Sequence, residues 1–130
     1  MNDHVSTHQA EEDARNDQIL IWVDGALKPK AQAVVSVYDS GFMLGDGVWE
    51  GVRLYNGKWT FLDEHIDRLF EAAKAIDLDI ARTKDQVIAA ILETQAANQM
   101  TTDAHARLMV TRGVKTRPFQ HPKLSQQGPT

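Results

Sequence analysis

Two dipeptides, Asp24-Gly25 and Asn56-Gly57, restrict the first half of this chain to a small set of folds. Each has the composition of a two-residue hairpin loop, in which both central residues take positive φ, and each is flanked by residues that favour extended backbone. Ile19 to Val23 returns through Ala26 and Leu27, and Val48 to Tyr55 returns through Lys58 to Phe61. Ala33 to Tyr38 reads as a further extended segment. Two hairpins in succession predict a mainly antiparallel sheet.

After Phe61 the apolar period changes. Leu62, Ile66, Leu69, Phe70, Ala73 and Ile76 recur at helical intervals, with Asp63 as the expected cap. Thr83 and Gln86 form a capping box ahead of Val87, Ile88, Ile91 and Leu92, and Asn98 is the expected end of that helix. Alternation returns from Ala104 to Thr111, with Ala106, Leu108 and Val110 on one side and Arg107, Met109 and Thr111 on the other. The predicted class is α+β, a two-layer domain in which a mainly antiparallel sheet packs against two helices.

With 130 residues, 42% of them hydrophobic, the chain can build one core. Residues 1–18 are polar and aperiodic and read as a flexible tail, 19–117 as a small domain, and 118–130 as the start of an interdomain linker within a larger protein. A net charge of -4 argues against a broad nucleic-acid surface. No apolar run is long enough to cross a bilayer, and the amino terminus lacks the basic start and apolar stretch of a secretory signal. The absence of cysteine removes disulfides, thiolate metal sites and thiol nucleophiles, and fits a cytoplasmic protein.

The densest run of unusual residues is Gly41 to Tyr55, GFMLGDGVWEGVRLY, read as largely extended. Glycines at 41, 45 and 47 surround Asp46, which signals either a strained hairpin or a strand facing a ligand. Their spacing is not that of a dinucleotide fingerprint, and no G-x-S-x-G elbow encloses Ser40. His4 and His8 lack a third metal ligand, and His65 and Asp67 form no HExxH arrangement, so no metal site is expected. Among the arginines, Arg68 lies in the predicted first helix, where it can either hold an oxyanion at the sheet–helix seam or pair with Glu64 or Glu71. Arg53 alternates with Val52 and Leu54 and is expected on the polar side of its strand. Arg112 and Arg117 flank a glycine turn, either as an anion trap or as solvated side chains.

Five stretches together carry a resemblance: Ser40-Gly41-Phe42, Gly45-Asp46-Gly47-Val48-Trp49-Glu50, Tyr55-Asn56-Gly57, His65-Ile66-Asp67-Arg68-Leu69 and Val110-Thr111-Arg112-Gly113. In order and spacing, over about residues 19 to 120, the chain resembles the amino-terminal domain of the class IV aminotransferases, the fold-type IV pyridoxal-phosphate enzymes. The resemblance implies pyridoxal 5'-phosphate as cofactor and Arg68 as the residue that holds its phosphate. It places Trp49 where D-amino-acid transaminases carry a tyrosine of the carboxylate pocket, and Arg117 where they carry a carboxylate-binding arginine. Phe119 stands in place of the histidine two residues further on. Arg53 is similar to an arginine beside the substrate pocket of the branched-chain group.

The same resemblance implies a homodimer in which the loop from Arg112 to Phe119 lies near the partner's site. A transaminase also needs a lysine to carry the cofactor and move the proton, and in this family that lysine belongs to the following domain. None of the lysines at 28, 30, 58, 74, 84, 115 and 123 stands at its position. Residues 1–130 alone are therefore expected to be inactive, with amino-group exchange between an amino acid or amine and a 2-keto acid in the full protein. The alternatives are aminodeoxychorismate lyase, which shares fold and cofactor, and a stand-alone binding or dimerisation domain.

Overall fold

A computed structural model describes residues 12–117, 121–125 and 128–130. Order begins before Ile19. A single 3-10 turn, Ala14–Asn16, is capped by Asp13, and Arg15 reaches across to the carbonyls of Thr102 and Asp103 at 2.8 Å each. The flexible tail expected over residues 1–18 is thus anchored in its last part, and residues 1–11 lie outside the described residues.

Both hairpins form where glycine permits positive φ. β1, Leu20–Val23, pairs with β2, Ala26–Pro29, around Asp24 at φ 48° and Gly25 at φ 90°. β3, Gly47–Tyr55, pairs with β4, Lys58–Trp59, around Asn56 at φ 47° and Gly57 at φ 76°. β5, Ala104–Thr111, lies antiparallel on the other side of β3, from Gly47 opposite Thr111 to Leu54 opposite Ala104. The result is a three-stranded sheet in the order β4-β3-β5 and a separate two-stranded ribbon.

Two segments depart from the extended conformation expected of them. Ala33 to Tyr38 is not a strand: it follows a 3-10 turn at Lys30–Gln32, and Val34, Val35 and Val37 are exposed. β-branched side chains favour a strand only where they have a pleated, half-buried surface to pack on, and here no neighbouring strand is present among the described residues. The run from Gly41 is not extended throughout either. Ser40–Leu44 forms α1, a short helix whose first turn is capped by Asp39 accepting from the Gly41 amide at 2.8 Å. It stops at Gly45, which takes the left-handed conformation at φ 65°.

α2, Leu62–Ala75, buries the predicted stripe through Ile66, Leu69 and Ala73. Its start differs from expectation, because Phe61 at φ 51° precedes the helix with no side-chain cap, and Asp63 sits inside the first turn. There the carboxylate still opposes the positive helix end. α3, Lys84–Ala97, opens with the predicted reciprocal bonds of Thr83 and Gln86 and ends at Asn98. Both helices cover one face of the sheet, and Leu69, Ile80, Val87 and Ile91 form a core against which Val48, Leu108 and Val110 pack. Among the described residues no helix is long and apolar enough to cross a membrane.

The ribbon is attached to this core through a side chain. Asn98 accepts from the Leu20 amide at 2.8 Å and donates to the Leu20 carbonyl at 2.9 Å, standing in for a neighbouring strand. Its amide also donates to the Thr94 carbonyl, which closes α3. Asn98→Ala should therefore destabilise the fold by about 1–3 kcal/mol, the cost of orphaning part-buried backbone groups. Urea unfolding measures this, and an unchanged midpoint would show that packing alone holds the ribbon.

Candidate functional site

The strand period divides β3 into two chemically different faces. Val52 and Leu54 point into the core, so Glu50, two residues earlier on the same side, is drawn under α2. A carboxylate cannot remain there alone, and α2 supplies its partners. Arg68 donates through Nε to one oxygen at 2.6 Å and through Nη2 to the other at 2.8 Å, while His65 Nδ1 lies 2.7 Å from the second oxygen. His65 and Arg68 are three residues apart and so project from one side of the helix.

Charge assignments follow from these bonds. The Arg68 guanidinium holds the Glu50 carboxyl down to about 2 from an ordinary 4.5, with His65 adding to the effect and burial opposing it. Glu50 is therefore ionised and accepts only, so His65 Nδ1 carries a proton. Glu50 in turn raises Arg68 above its ordinary value. Glu50 is 6% exposed, whereas the Arg68 side chain is 67% exposed, so the carboxylate anchors one edge of an arginine that still faces solvent. Among the described residues Arg68 Nη1 has no protein partner. Neither Glu64 nor Glu71 pairs with Arg68, because the buried carboxylate on the strand offers a two-pronged match that exposed helix neighbours do not.

On the opposite face of β3 lie Trp49, Gly51, Arg53 and Tyr55. The register with β5 sets Met109 against Trp49, Arg107 against Gly51 and His105 against Arg53. Arg107 stacks over the Trp49 ring at 4.4 Å, and Arg53 lies 5.5 Å from the Tyr55 ring and 3.9 Å from Asp103. A Cβ at Gly51 would come within 2.8 Å of the His105 ring, so a larger residue there would have to displace that exposed side chain. Trp49, Arg53 and Met109 are all largely exposed, giving an aromatic surface bordered by two guanidinium groups. The sheet thus separates Arg68 from Trp49 and Arg53, which meet only through the backbone step from Trp49 to Glu50.

The carboxy-terminal arginines are placed differently. Arg112 donates through Nε and Nη2 to Asp46, through Nη1 to the Asp77 carbonyl and through Nη2 to the Ile76 carbonyl. Neither a solvated side chain nor half of an anion trap, it ties the loop before β3 to the carboxy-terminal end of α2. Arg117 is exposed on the loop that follows β5, and Phe119 lies outside the described residues.

Sequence reasoning did not single out Glu50, Arg107, His105 or Met109. Glu50 was detectable as a charge at an inward position of an apolar alternation. The other three needed the pairing of β3 with β5, which strand patterns do not specify.

This architecture is that of the amino-terminal portion of fold-type IV pyridoxal-phosphate enzymes. The T.th. branched-chain amino acid aminotransferase complexed with 4-methylvaleric acid matches 87% of this chain and 39% of that chain with a TM-score of 0.77 and 25% identity. The branched-chain aminotransferase from Thermoproteus uzoniensis with norvaline matches 80% and 35% with a TM-score of 0.68 and 30% identity. Residues 47–126 match the family described as amino-transferase class IV, and the chain belongs to that family. Branched-chain-amino-acid aminotransferase-like protein 1 of Arabidopsis thaliana is 42% identical over 115 residues, 88% of this chain and 21% of that protein. The putative branched-chain-amino-acid aminotransferase of Methanocaldococcus jannaschii is 47% identical over 94 residues, 72% of this chain and 32% of that protein. D-alanine aminotransferase of Listeria monocytogenes is 42% identical over 95 residues, 73% and 32% respectively. The chain therefore spans between a fifth and a third of the length of these three aminotransferase sequences and less than two fifths of the two solved chains.

Burial of an ionised Glu50 has a measurable consequence. Its carboxyl titrates near 2 in the folded protein and near 4.5 when unfolded, so its stabilising contribution is full above pH 4.5 and is lost as pH falls through about 2. Unfolding free energy followed from about pH 6 to about pH 2 should decline over this interval. Glu50→Gln should lower stability at neutral pH by about 1–3 kcal/mol and flatten the acid decline. An acid limb identical in the variant would mean that other carboxylates carry it.

Proposed function

We propose that this chain is the amino-terminal part of a pyridoxal-phosphate-dependent aminotransferase that exchanges an amino group between an amino acid or amine and a 2-keto acid. The observation that carries the reading is Arg68, held by a buried carboxylate along one edge and open along the other. A guanidinium fixed in this way presents Nη1 to an anion without the entropy cost of ordering a free side chain. The charge balance suits a phosphate: Glu50 is answered by Arg68 and by the proton on His65 Nδ1, so the carboxylate does not stand as a bare negative charge beside the ligand.

Pyridoxal phosphate, when bound, supplies the electron sink for chemistry at the substrate Cα. Arg68 holds its phosphate, and Glu50 and His65 position Arg68. Trp49 and Met109 offer apolar area to a substrate side chain, and Arg53 and Arg107 offer donor forks to its carboxylate. With Arg112 committed to Asp46 and the end of α2, Arg117 is the arginine of that loop left to meet a substrate or, in a homodimer, the neighbouring subunit. The lysine that carries the cofactor is assigned to a further domain, so residues 1–130 alone bind no substrate productively.

In the complete protein Arg68→Ala should release the cofactor on gel filtration, measured as bound pyridoxal phosphate per chain, and Arg68→Lys should restore little because a lysine cannot match Glu50 with two bonds. Undiminished retention in Arg68→Ala would sink the assignment. Arg107→Ala should raise KM for the keto acid roughly 10- to 100-fold, the loss of a charge-assisted bond, while cofactor content stays unchanged. Product formation that requires no keto-acid acceptor would instead identify an elimination catalyst.

A further inference from the structure

Arg15, like Arg68, is an arginine held along one edge by a carboxylate. Its Nε donates to Asp13 Oδ2 at 2.9 Å and its Nη2 to the same oxygen at 2.7 Å. The Arg15 side chain holds the Asp13 carboxyl below its ordinary value, so the pair is charged at neutral pH. The other edge of the guanidinium is occupied: Nη1 donates to the Thr102 carbonyl and Nη2 to the Asp103 carbonyl. A planar fork thus meets two successive main-chain acceptors far away in the sequence, a match that a point charge cannot make.

Those acceptors belong to the turn that leads into β5. The Gly57 amide donates to the Thr101 carbonyl at 2.6 Å and the Asn56 amide to Thr102 Oγ1 at 3.0 Å, which joins the tip of the β3–β4 hairpin to the same turn. Asp103 takes the left-handed conformation at φ 50°, unfavourable for a residue with a Cβ although Asp tolerates it better than most. Arg15 bonds the carbonyl on each side of the Asp103 Cα, the two peptide groups whose relative orientation defines that turn. The Asp103 carboxylate lies 3.9 Å from Arg53, to which it is the diagonal neighbour on the open face. Among the described residues no other carboxylate pairs with Arg53.

We propose that Arg15 is a positioning residue for Arg53: it fixes the turn at Asp103, and Asp103 holds Arg53 at the Tyr55 end of the open face. This rests on the reading above, in which Arg53 meets the substrate carboxylate. An exposed arginine is costly to order at the moment of binding. Asp103 on one side and the Tyr55 ring at 5.5 Å on the other remove part of that freedom beforehand. The Arg53–Asp103 pair adds little to stability, since both partners are exposed; its effect falls on the order of Arg53. A tether that served only to tack down the amino-terminal segment could end on any open carbonyl. This one ends on the residue whose side chain faces Arg53.

The complete protein tests this with Arg15→Ala and Asp103→Gly. Glycine keeps the left-handed turn and deletes the carboxylate, whereas Arg15→Ala keeps the carboxylate and frees the turn. Each should raise KM for the 2-keto acid roughly 2- to 10-fold, the cost of ordering one side chain, with little effect on kcat and none on bound cofactor. Together they should raise KM no further than either alone, because both act through Arg53. The heteronuclear NOE at the Arg53 Nε–H should fall in both variants, a readout that needs neither substrate nor cofactor. KM effects that add, a KM unchanged or lowered in Arg15→Ala, or an Arg53 NOE that does not move in that variant would overturn the proposal. An Arg53 that loosens in both variants of a protein without transaminase activity would keep the positioning role and lose the substrate reading.

Discussion

The two-residue period of β3 is the constraint on which the rest of this domain depends. Because successive side chains leave opposite faces, Trp49 and Glu50 cannot share a surface, and the ladder with β5 holds that division from Gly47 to Leu54. One face must satisfy the core and the other is left open to solvent. A register slip of one residue would send Val52 and Leu54 to solvent and bring Arg53 into the core, so apolar burial and site geometry are enforced by the same bonds.

Glu50 is where the two demands meet. It occupies an inward position that apolar packing would otherwise fill, and the cost of its burial is offset by Arg68 and His65. Such an ion pair is a poor way to gain stability, since a well-packed apolar residue does as well or better. What it does provide is an arginine locked in one orientation with an unpaired edge toward solvent. Arg112 shows the contrasting use of the same side chain: with Nε, Nη1 and Nη2 all bonded to Asp46 and the end of α2, it is a structural clasp with nothing left to offer a ligand.

Much of the domain was legible before any coordinates. The hairpins at Asp24-Gly25 and Asn56-Gly57, the capping box at Thr83 and the helical stripe from Leu62 all depend on interactions within a few residues, and they appear where local chemistry puts them. The failures share one cause. Val34, Val35 and Val37 carry strand propensity but find no surface among the described residues, Phe61 precedes α2 in the left-handed conformation without a side-chain cap, and Ser40–Leu44 coils because Asp39 and Gly45 cap both of its ends. In each case a neighbour, not the segment's own preference, decides the outcome.

The motif residues pointed to the family, and the helical spacing of His65 and Arg68 puts them on one side of α2. What sequence determined was the local vocabulary: which segments bend, which alternate and which residues can bind an anion. Only the tertiary structure decided that Arg68 answers Glu50 across the sheet–helix seam, that Arg107 covers Trp49, and that Arg112 is spent on the fold. Those outcomes follow from strand register and helix placement, which are set by cooperative burial across distant parts of the chain and leave no local signature in it.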